Sequence, residues 1–386
     1  MLGNVAVNRR LLVLTSATGA GHDTHAHATE AWCRKIYGAA VEVRIAHVLE
    51  ESHAFNRAGV EFYNFIQRHG PWFHHVYYNA IELLEMLNHG TVTFGKSHYV
   101  RLLEDFRPDA ILSVHDCLNL GYAEVAREVI GPGVRFATYC VEFGGGYGFS
   151  RNWINPRADM FFARTDDAAA AAGRRMEHRK IRVAGHWAPP DFYLPEPGPE
   201  AKAETLTEIG LQPGLFTVLL STGGAGAQNH VRILNGLVPL LGRLQTVVLC
   251  GRNAAARDEV DAWAARNGTQ SVRTLGFTRQ MPALLHAASV VVTRAGATTA
   301  GEALLCGCPT IFNALGGIMP QELPTWRYFR DRGVGRLAYR PETIARVLHG
   351  WLKNPADFQA FRMRFRTVGL RHAASPEATL PALVGT

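Results

Sequence analysis

The sequence predicts an α/β protein with two doubly wound domains, each with a parallel sheet covered by helices. Short apolar runs that end in polar or glycine-rich turns alternate with helical patterns along the chain, and this alternation is typical of parallel sheets. The pattern stops at a proline-rich break and then restarts. With 386 residues and 47% hydrophobic composition, the chain is long and apolar enough to bury two cores.

Six runs predict the sheet of the first half: LLVLTS, VEVRIAHV, AILSVHD, RFATYCVE, MFFART and IRVAG. Five more predict the second sheet: FTVLLSTGGAG, TVVLCGRN, VRTLGF, SVVVTRAG and PTIFNALGG. Between them, the five prolines of WAPPDFYLPEPGPE exclude a helix or a central strand. The predicted organisation is a first domain (1–188), a linker (189–212), a second domain (213–365) and a tail that packs back on the first domain (366–386). Because ligands sit beyond the carboxyl ends of parallel strands, we expect the two domains to face each other across a ligand-binding cleft.

The composition limits which kinds of partner the protein is expected to bind and in which compartment it is expected to reside. The chain has 40 Lys and Arg against 33 Asp and Glu, a net charge of +7, which suits a nucleotide, an anionic bilayer or nucleic acid. Basic residues are scattered without an aromatic RNA-binding motif, so nucleic acid is not an expected partner. The six cysteines lack paired spacing, which indicates buried thiols in a reducing cytosol. Since no apolar run reaches the ~20 residues of a membrane span, we expect a soluble or peripheral protein.

The stretch TSATGAGHDTHAH places a glycine-rich turn between a strand and a helix. Gly19 and Gly21 allow the backbone to approach a ligand closely, and the helix N-terminus favours an anion. His22 stands at the turn, where an imidazole can accept a proton near neutral pH. The alternatives are a plain strand-to-helix turn and a capping or core histidine.

No metal is expected at this turn or elsewhere. His25 and His27 are expected at solvated helix positions, and the histidines lack a carboxylate or cysteine partner at ligand spacing. The chain also contains no Asp-x-Asp motif. The charge of a diphosphate must then be met by helix dipoles and backbone N–H groups.

The second half has two further strand, glycine turn and helix stretches, STGGAGAQN (221–229) and TRAGATTAGEA (293–303). Each presents a helix N-terminus to a phosphate. Glu302 lies in the second of these helices, where its carboxylate either accepts both hydroxyls of a ribose or is solvated.

Two more positions in the second half suit a nucleotide sugar. Gly276 and Phe277 end a predicted strand, where a backbone and a ring hold a base. MPQE (319–322) offers an amide and a carboxylate to sugar hydroxyls.

The segment 62–90 is dense in aromatic residues and histidines. It predicts two helices broken at Gly70 and Pro71. Aromatic and basic residues together suit a bilayer interface, and an ordinary pair of core helices is the alternative. The residues predicted to meet the membrane or the acceptor are Tyr63, Phe65, Trp72 and Phe73.

These motifs resemble glycosyltransferase family 28, and within it the monogalactosyldiacylglycerol synthase and processive diacylglycerol glucosyltransferase group. The resemblance runs from about Leu11 to about Leu337 and is carried by SATGAGH, FNRAGVEFYNFIQRHG, PDAILSVH, VLLSTGGAG, CGRN and TRAGATTAGEALLCGCPTIFN followed by QE. It implies a GT-B fold, a UDP-sugar donor, no metal or other cofactor, and inverting transfer to a lipid hydroxyl.

The resemblance also implies roles for single residues. Phe277 would hold the uracil, Glu302 the ribose, and Gln321 with Glu322 the sugar hydroxyls. His22 falls on the glycine-loop histidine of the family. The remaining donor-site residues come from the glycine turns and the CGRN motif: Gly19, Gly21, Gly223, Gly224, Arg252, Gly296, Ala297, Thr298 and Thr299.

The chain departs from the plant galactolipid synthases at the expected base. Those enzymes have an aspartate, proposed as the base, where this chain has Ala17, and the glycine before Gln-Glu is Pro320. A His-Pro becomes His115-Asp116 and a Thr-Asp becomes Val141-Glu142. Asp116 and Glu142 each follow a predicted strand, so both join His22 as candidate catalytic residues.

The expected function is metal-independent, inverting transfer of a hexose from a UDP-sugar to a diacylglycerol-type lipid. The expected location is the cytoplasmic face of the plasma membrane, with an anionic membrane surface as partner. The alternatives are a polyprenyl-linked or soluble natural-product acceptor, and an isomerase similar to UDP-GlcNAc 2-epimerase, which needs no acceptor.

Overall fold

The structure, a computed structural model, describes residues 9–87, 92, 94–221, 229–369 and 375–385. These residues divide into two compact units. Unit 1 takes its residues from 1–190, 319–324 and 370–386, and unit 2 from 191–318 and 325–369. Unit 1 is therefore assembled from three separate pieces of the chain.

Unit 1 contains a sheet of six parallel strands in the order β2-β1-β3-β4-β5-β6. The strands are β1 (Arg9–Thr15), β2 (Val41–His47), β3 (Ala110–Ser113), β4 (Arg135–Cys140), β5 (Met160–Ala163) and β6 (Ile181–Val183). In β1 the side chains from Leu11 to Leu14 are fully buried, as expected for a parallel strand covered on both faces.

Unit 2 contains a second sheet of six parallel strands in the order β12-β11-β10-β7-β8-β9. The strands are β7 (Phe216–Ser221), β8 (Leu244–Gly251), β9 (Val272–Gly276), β10 (Val290–Thr293), β11 (Thr310–Asn313) and β12 (Gly335–Ala338). Read from its β9 edge, this is the strand order of the Rossmann fold. The predicted α/β class with two Rossmann-like sheets is confirmed.

The helices are numbered in chain order. They are α1 (Gly21–Tyr37), α2 (Val48–Ser52), α3 (Ala54–His69), α4 (His74–Leu87), α5 (Lys96–Phe106), α6 (Tyr122–Ile130), α7 (Asp166–Ala172), α8 (Pro199–Glu208), α9 (His230–Leu237), α10 (Ala254–Arg266), α11 (Met281–Ala287), α12 (Ala297–Leu305), α13 (Leu323–Asp331), α14 (Pro341–Lys353), α15 (Pro355–Thr367) and α16 (Pro376–Val384). The predicted break between α3 and α4 is present as a 3-10 turn (Pro71–Phe73).

Two elements differ from the sequence prediction. The strand β12 was not predicted, because its four residues, GRLA, give too short a pattern to read. The segment 189–212 contains α8 in addition to a 3-10 turn (Pro190–Tyr193). The expectation that prolines exclude a helix in 187–200 is therefore wrong at its end, since Pro199 occupies the first turn of α8, where a missing N–H costs nothing.

The last described helix, α16, packs against α1 and β4 within unit 1. Arg135 of β4 donates hydrogen bonds to the carbonyl oxygens of Ala382 and Leu383, both at 3.3 Å. These bonds place positive charge at the C-terminus of α16, where the helix dipole favours it.

The sheet topology determines which loops meet. In unit 1, β1 lies between β2 and β3, so the loops that follow β1 and β3 leave the same edge at a point where the strand order reverses. Open α/β sheets bind ligands at such points. The two loops are tied by a hydrogen bond of 3.0 Å from the N–H of Val114 to the carbonyl of Leu14. In unit 2 the corresponding strands are β7 and β10.

Candidate active site

The turn after β1 is held by two side chains from neighbouring helices. One carboxylate oxygen of Glu50 accepts hydrogen bonds from the hydroxyl of Ser16 at 2.8 Å and the N–H of Ala17 at 2.6 Å. Asn64 accepts from the N–H of Gly19 at 2.9 Å and donates to the carbonyl of Ala17 at 3.0 Å. Gly19 has φ of 69°, a left-handed conformation that explains the glycine.

His22 follows this turn in the first turn of α1. Its Nδ1 lies 2.7 Å from the carbonyl oxygen of Val114. A carbonyl oxygen can only accept, so Nδ1 carries the proton and Nε2 of the neutral ring is an acceptor. The ring centroids of His22 and His115 are 4.3 Å apart.

His115 follows β3 and is buried beside His22. Its Nε2 lies 2.7 Å from the hydroxyl of Thr18, and its Nδ1 accepts the N–H of Cys117 at 3.2 Å. Burial and the charge of a protonated His22 lower the pKa of His115 to about 3. This imidazole therefore stays neutral near pH 7, and it orients Thr18.

Among the described residues, one group has the donor atoms of a metal site. The candidate ligand atoms of His115, Asp116 and Cys117 all lie within 4.8 Å of one another. Both ring nitrogens of His115 already make the hydrogen bonds to Thr18 and to the Cys117 backbone. A metal ion would have to break one of these bonds, so the residues do not fit a resident metal.

A cavity of about 590 Å³ opens at this edge of the sheet within unit 1. It contains all three candidate catalytic residues, His22, Asp116 and Glu142. The other polar groups include Thr18 and Gln321, and the apolar part of the lining is Leu49, Phe55, Val60, Tyr77, Tyr78, Ile81, Val92, Phe94, Leu120, Tyr122 and Trp153. None of the described residues that line the cavity is a lysine or an arginine.

Gln321 reaches the cavity although it lies far from α3 in sequence. Its amide donates to the hydroxyl of Tyr63 at 2.7 Å, and burial raises the pKa of that hydroxyl. Gly148, at φ of 93°, lies so close to the carbonyl of Pro320 that a Cβ would overlap it. Glu322 does not line the cavity: its carboxylate accepts the N–H of Met319 at 2.8 Å and caps the local turn.

An apolar surface extends from the mouth of the cavity. We define it by seven side chains that are 44–65% exposed: Phe55, Phe62, Phe65, Trp72, Val76, Leu83 and Phe94. Phe55 and Phe94 also line the cavity, and their ring centroids are 5.1 Å apart. Phe73 packs edge-on against Trp72 at 5.7 Å. Among the described residues, no helix is long and apolar enough to cross a membrane.

The predicted donor residues of unit 2 lie after strands of its sheet. Gly296 precedes the first turn of α12, which holds Ala297, Thr298 and Thr299. Glu302 lies in the same helix and is buried. Phe277 follows β9, and the guanidinium of Arg252 lies 5.0 Å from the centre of its ring. Gly223 and Gly224 lie outside the described residues.

The structure thus gathers some of the predicted residues and separates others. Unit 1 holds Gly19, Gly21, His22, Tyr63, Asp116, Glu142, Gln321 and Glu322, and unit 2 holds Arg252, Phe277, Gly296 to Thr299 and Glu302. Thr18, His115, Glu50 and Asn64 were not singled out as site residues. The SATGAGH, PDAILSVH and FNRAGVEFYNFIQRHG motifs contain Thr18, His115 and Asn64. Glu50 lies in none of them, and its partners belong to a turn more than 30 residues away.

One expectation about the opening stretch is wrong. His25 is fully buried and not solvated. Its Nδ1 lies 2.6 Å from the carbonyl of Trp187, and its Nε2 lies 3.0 Å from the guanidinium of Arg164. Burial lowers its pKa well below the ordinary value, so His25 is a neutral core residue that fixes α1 on unit 1. His27 is exposed, as expected.

Two Rossmann-like sheets are the architecture of the GT-B class, and unit 1 contains a cavity lined by candidate proton acceptors. Residues 217–315 match the sequence profile of the glycosyltransferase family 28 C-terminal domain. The chain therefore carries this glycosyltransferase domain in residues 217–315, and the predicted resemblance to family 28 is confirmed there.

The chain is also similar to curated relatives over nearly its whole length. It is 26% identical to monogalactosyldiacylglycerol synthase 1, chloroplastic, of Arabidopsis thaliana, across 96% of this chain and 69% of that protein. It is 23% identical to the processive diacylglycerol beta-glucosyltransferase of Bacillus subtilis, across 95% of this chain and 93% of that protein.

Solved structures confirm the fold. Anabaena HepE in complex with UDP-glucose superposes with a TM-score of 0.56 at 13% identity, across 98% of this chain and 97% of that one. UDP-GlcNAc 2-epimerase from Neisseria meningitidis bound to UDP-GlcNAc gives a TM-score of 0.54 at 14% identity, across 95% and 97%. HepE and the epimerase both have this architecture, so the fold alone does not show which reaction a protein of this kind catalyses.

Proposed function

We propose that the protein transfers a hexose from a UDP-sugar to the hydroxyl of a diacylglycerol-type lipid, with inversion at the anomeric carbon. One observation carries this proposal: Gln321, a candidate for sugar hydroxyls, and His22, a candidate base, line the same largely apolar cavity. The names of the relatives in Arabidopsis thaliana and Bacillus subtilis support a diacylglycerol acceptor. The complexes of the structural neighbours support a UDP-sugar donor.

The charge of the cavity favours a neutral acceptor. Its lining contains the carboxyl groups of Asp116 and Glu142 and neither lysine nor arginine among the described residues. A polyprenyl phosphate or diphosphate would bring negative charge to these carboxyl groups without a cation to pair with it. Diacylglycerol brings only a hydroxyl and ester groups, and its acyl chains match the apolar walls.

In the proposed mechanism the lipid hydroxyl attacks the anomeric carbon as His22 takes its proton. The proton goes to Nε2, because Nδ1 is already a donor to Val114. The new bond joins the acceptor oxygen to the anomeric carbon, and the bond from that carbon to the UDP oxygen breaks. Attack from the face opposite UDP inverts the configuration. Asp116 and Glu142 are the alternative bases in the same cavity.

We assign the donor to unit 2. The first N–H groups of a helix lack intrahelical partners and attract phosphate, so the N-terminus of α12 would bind the diphosphate. Buried Glu302 would bind the ribose, and Phe277 the uracil opposite the face covered by Arg252. UDP then leaves with its charge held by these dipoles, and no metal or cofactor is required.

The apolar surface supports contact with a lipid bilayer. Exposed Trp72 and phenylalanines suit the level of the lipid headgroups, and Phe55 and Phe94 connect this surface to the cavity. An acceptor lipid would reach the cavity without crossing water. With a net charge of +7, an anionic surface such as the inner face of the plasma membrane is the proposed location.

The test is a matrix of donors and acceptors analysed by product mass. Purified protein is incubated with UDP-glucose, UDP-galactose or UDP-GlcNAc and with vesicles that contain diacylglycerol, a polyprenyl phosphate or neither. We expect a lipid product one hexose heavier only with diacylglycerol. Interconversion of a UDP-sugar without any acceptor would support an isomerase, and a product only with the polyprenyl phosphate would refute the acceptor assignment.

A further inference from the structure

The turn of residues 16–19 is hydrogen-bonded by the side chains of Glu50 and Asn64, which do not line the cavity. Glu50 binds it through Ser16 and Ala17, and Asn64 binds it through Ala17 and Gly19, at distances of 2.6–3.0 Å. Glu50 and Asn64 are both absent from the cavity wall. Each contacts backbone groups of the turn, so neither is placed to touch a substrate.

The turn needs such support because it belongs to neither a strand nor a helix. It lies between the end of β1 and the start of α1, so its peptide groups find no partner in a regular ladder. The N–H of Ala17, the carbonyl of Ala17 and the N–H of Gly19 are satisfied by Glu50 and Asn64. Loss of either side chain leaves a part-buried backbone group without that partner.

The position of the turn controls two groups in the cavity. Thr18 lies within the turn, and its hydroxyl is 2.7 Å from Nε2 of His115. His22 lies three residues after Gly19, at the start of α1, and both Thr18 and His22 line the cavity. A shift of the turn would therefore move the base candidate relative to the acceptor.

We propose that Asn64 and Glu50 are positioning residues for the transfer reaction, which set Thr18 and His22 against the acceptor hydroxyl. This inference rests on the proposed function. Asn64 lies between Tyr63, which accepts a hydrogen bond from Gln321, and exposed Phe65 on α3. One helix therefore links the turn, the segment that contains Gln321 and the apolar surface.

Steady-state kinetics separate a positioning role from a structural one. We expect Asn64→Ala and Glu50→Ala to lower kcat on the order of 10²-fold, the loss that follows from a misplacement of about 1 Å. Affinity for UDP should not change, because the proposed nucleotide site belongs to unit 2. Glu50→Gln keeps an acceptor oxygen for Ser16 and Ala17 and should restore most of kcat. Glu61→Ala, on the exposed side of α3, is the matched control and should behave like the parent.

Amide hydrogen exchange reports the turn without any chemistry. We expect Asn64→Ala to speed exchange of the Gly19 amide and Glu50→Ala that of the Ala17 amide, while the amides of β1 and β3 exchange at the parental rate. Parental kcat in both alanine variants, or Glu50→Gln as slow as Glu50→Ala, overturns the positioning role. If the parent transfers no sugar to any acceptor, the proposed function fails, and the exchange measurement still shows whether the two side chains hold the turn. If one alanine variant does not fold, the kcat of the other alanine variant and of Glu50→Gln still tests the positioning role.

Discussion

The Nδ1 atom of His22 lies 2.7 Å from the carbonyl oxygen of Val114. This contact joins α1 to the residue that follows β3, and it fixes the neutral tautomer with a lone pair on Nε2. A general base needs an unprotonated nitrogen within reach of the acceptor. The backbone carbonyl after β3 thus sets the tautomer of His22 on α1, the helix that follows β1.

If His22 is the base, His22→Ala should lower turnover by roughly 10²–10⁴-fold, the usual loss for a general base. Donor affinity should change little, which calorimetry with UDP checks. Asp116→Asn and Glu142→Gln are measured in parallel. If His22→Ala keeps near-parental turnover and one carboxylate variant is inactive, that carboxylate is the base and His22 is not.

Glu302→Ala should weaken binding of UDP. Charge-assisted hydrogen bonds to ribose hydroxyls are worth roughly 1.5–3 kcal/mol each, which corresponds to a roughly ten- to 150-fold increase in Kd. Glu259→Ala, on the exposed side of α10, is the control of equal charge change. Equal Kd values for the parent and Glu302→Ala would refute the ribose assignment.

The apolar surface should mediate binding to vesicles. Replacing Phe65 and Trp72 by serine should reduce cosedimentation with anionic liposomes, because both side chains are more than half exposed and bury apolar area at the headgroup level. UDP affinity should be retained. Met363→Ser removes an equally exposed side chain from unit 2 and should leave sedimentation unchanged. Sedimentation of the double variant at the parental level would argue for an ordinary protein surface.

The stability of unit 1 should depend on the pair of His47 and Asp23. The hydrogen bond to Asp23 raises the pKa of His47 above 6.5. Burial opposes ionisation of Asp23, but the hydrogen bond and the charge of His47 outweigh it and lower the pKa of Asp23 below 3.8. The His47 contribution is full below pH 6.5 and is lost as pH rises through its raised pKa, and the Asp23 contribution is lost as pH falls through its lowered pKa.

Urea unfolding of the parent and His47→Gln at pH values from 5 to 9 measures this contribution. The parent should lose its advantage in unfolding free energy as pH rises above about 6.5. An advantage that does not change with pH would show that the pair contributes nothing through protonation.

Activity should survive chelation. The proposed donor site meets phosphate charge with helix N–H groups, and both ring nitrogens of His115 are engaged by hydrogen bonds. We expect equal turnover before and after dialysis against EDTA. Loss of turnover that magnesium or manganese restores would show that a divalent ion takes part.

The fold could be predicted from local pattern to a large extent. Eleven of the twelve strands have apolar runs that read clearly, and the turns after β1 and β10 have the glycines that a strand-to-helix turn requires. Only β12 was not predicted, because GRLA has just four residues and an arginine among them. His22, Asp116 and Glu142 could be chosen because each follows a predicted strand, and parallel strands collect their carboxyl ends at one edge.

The sequence by itself determined the class of fold, the glycine turns and the residue types that point to nucleotide-sugar chemistry, because all of these depend on neighbours within a few positions. Only the tertiary structure decided which side chains meet. It placed Gln321 against Tyr63 and buried His25 in contact with the carbonyl of Trp187. It also joined the turn at Ala17 to Glu50 and Asn64. Such contacts join positions tens to hundreds of residues apart through single hydrogen bonds. A single bond leaves no periodicity in the sequence, so its partners become known only when the sheet order brings their loops together.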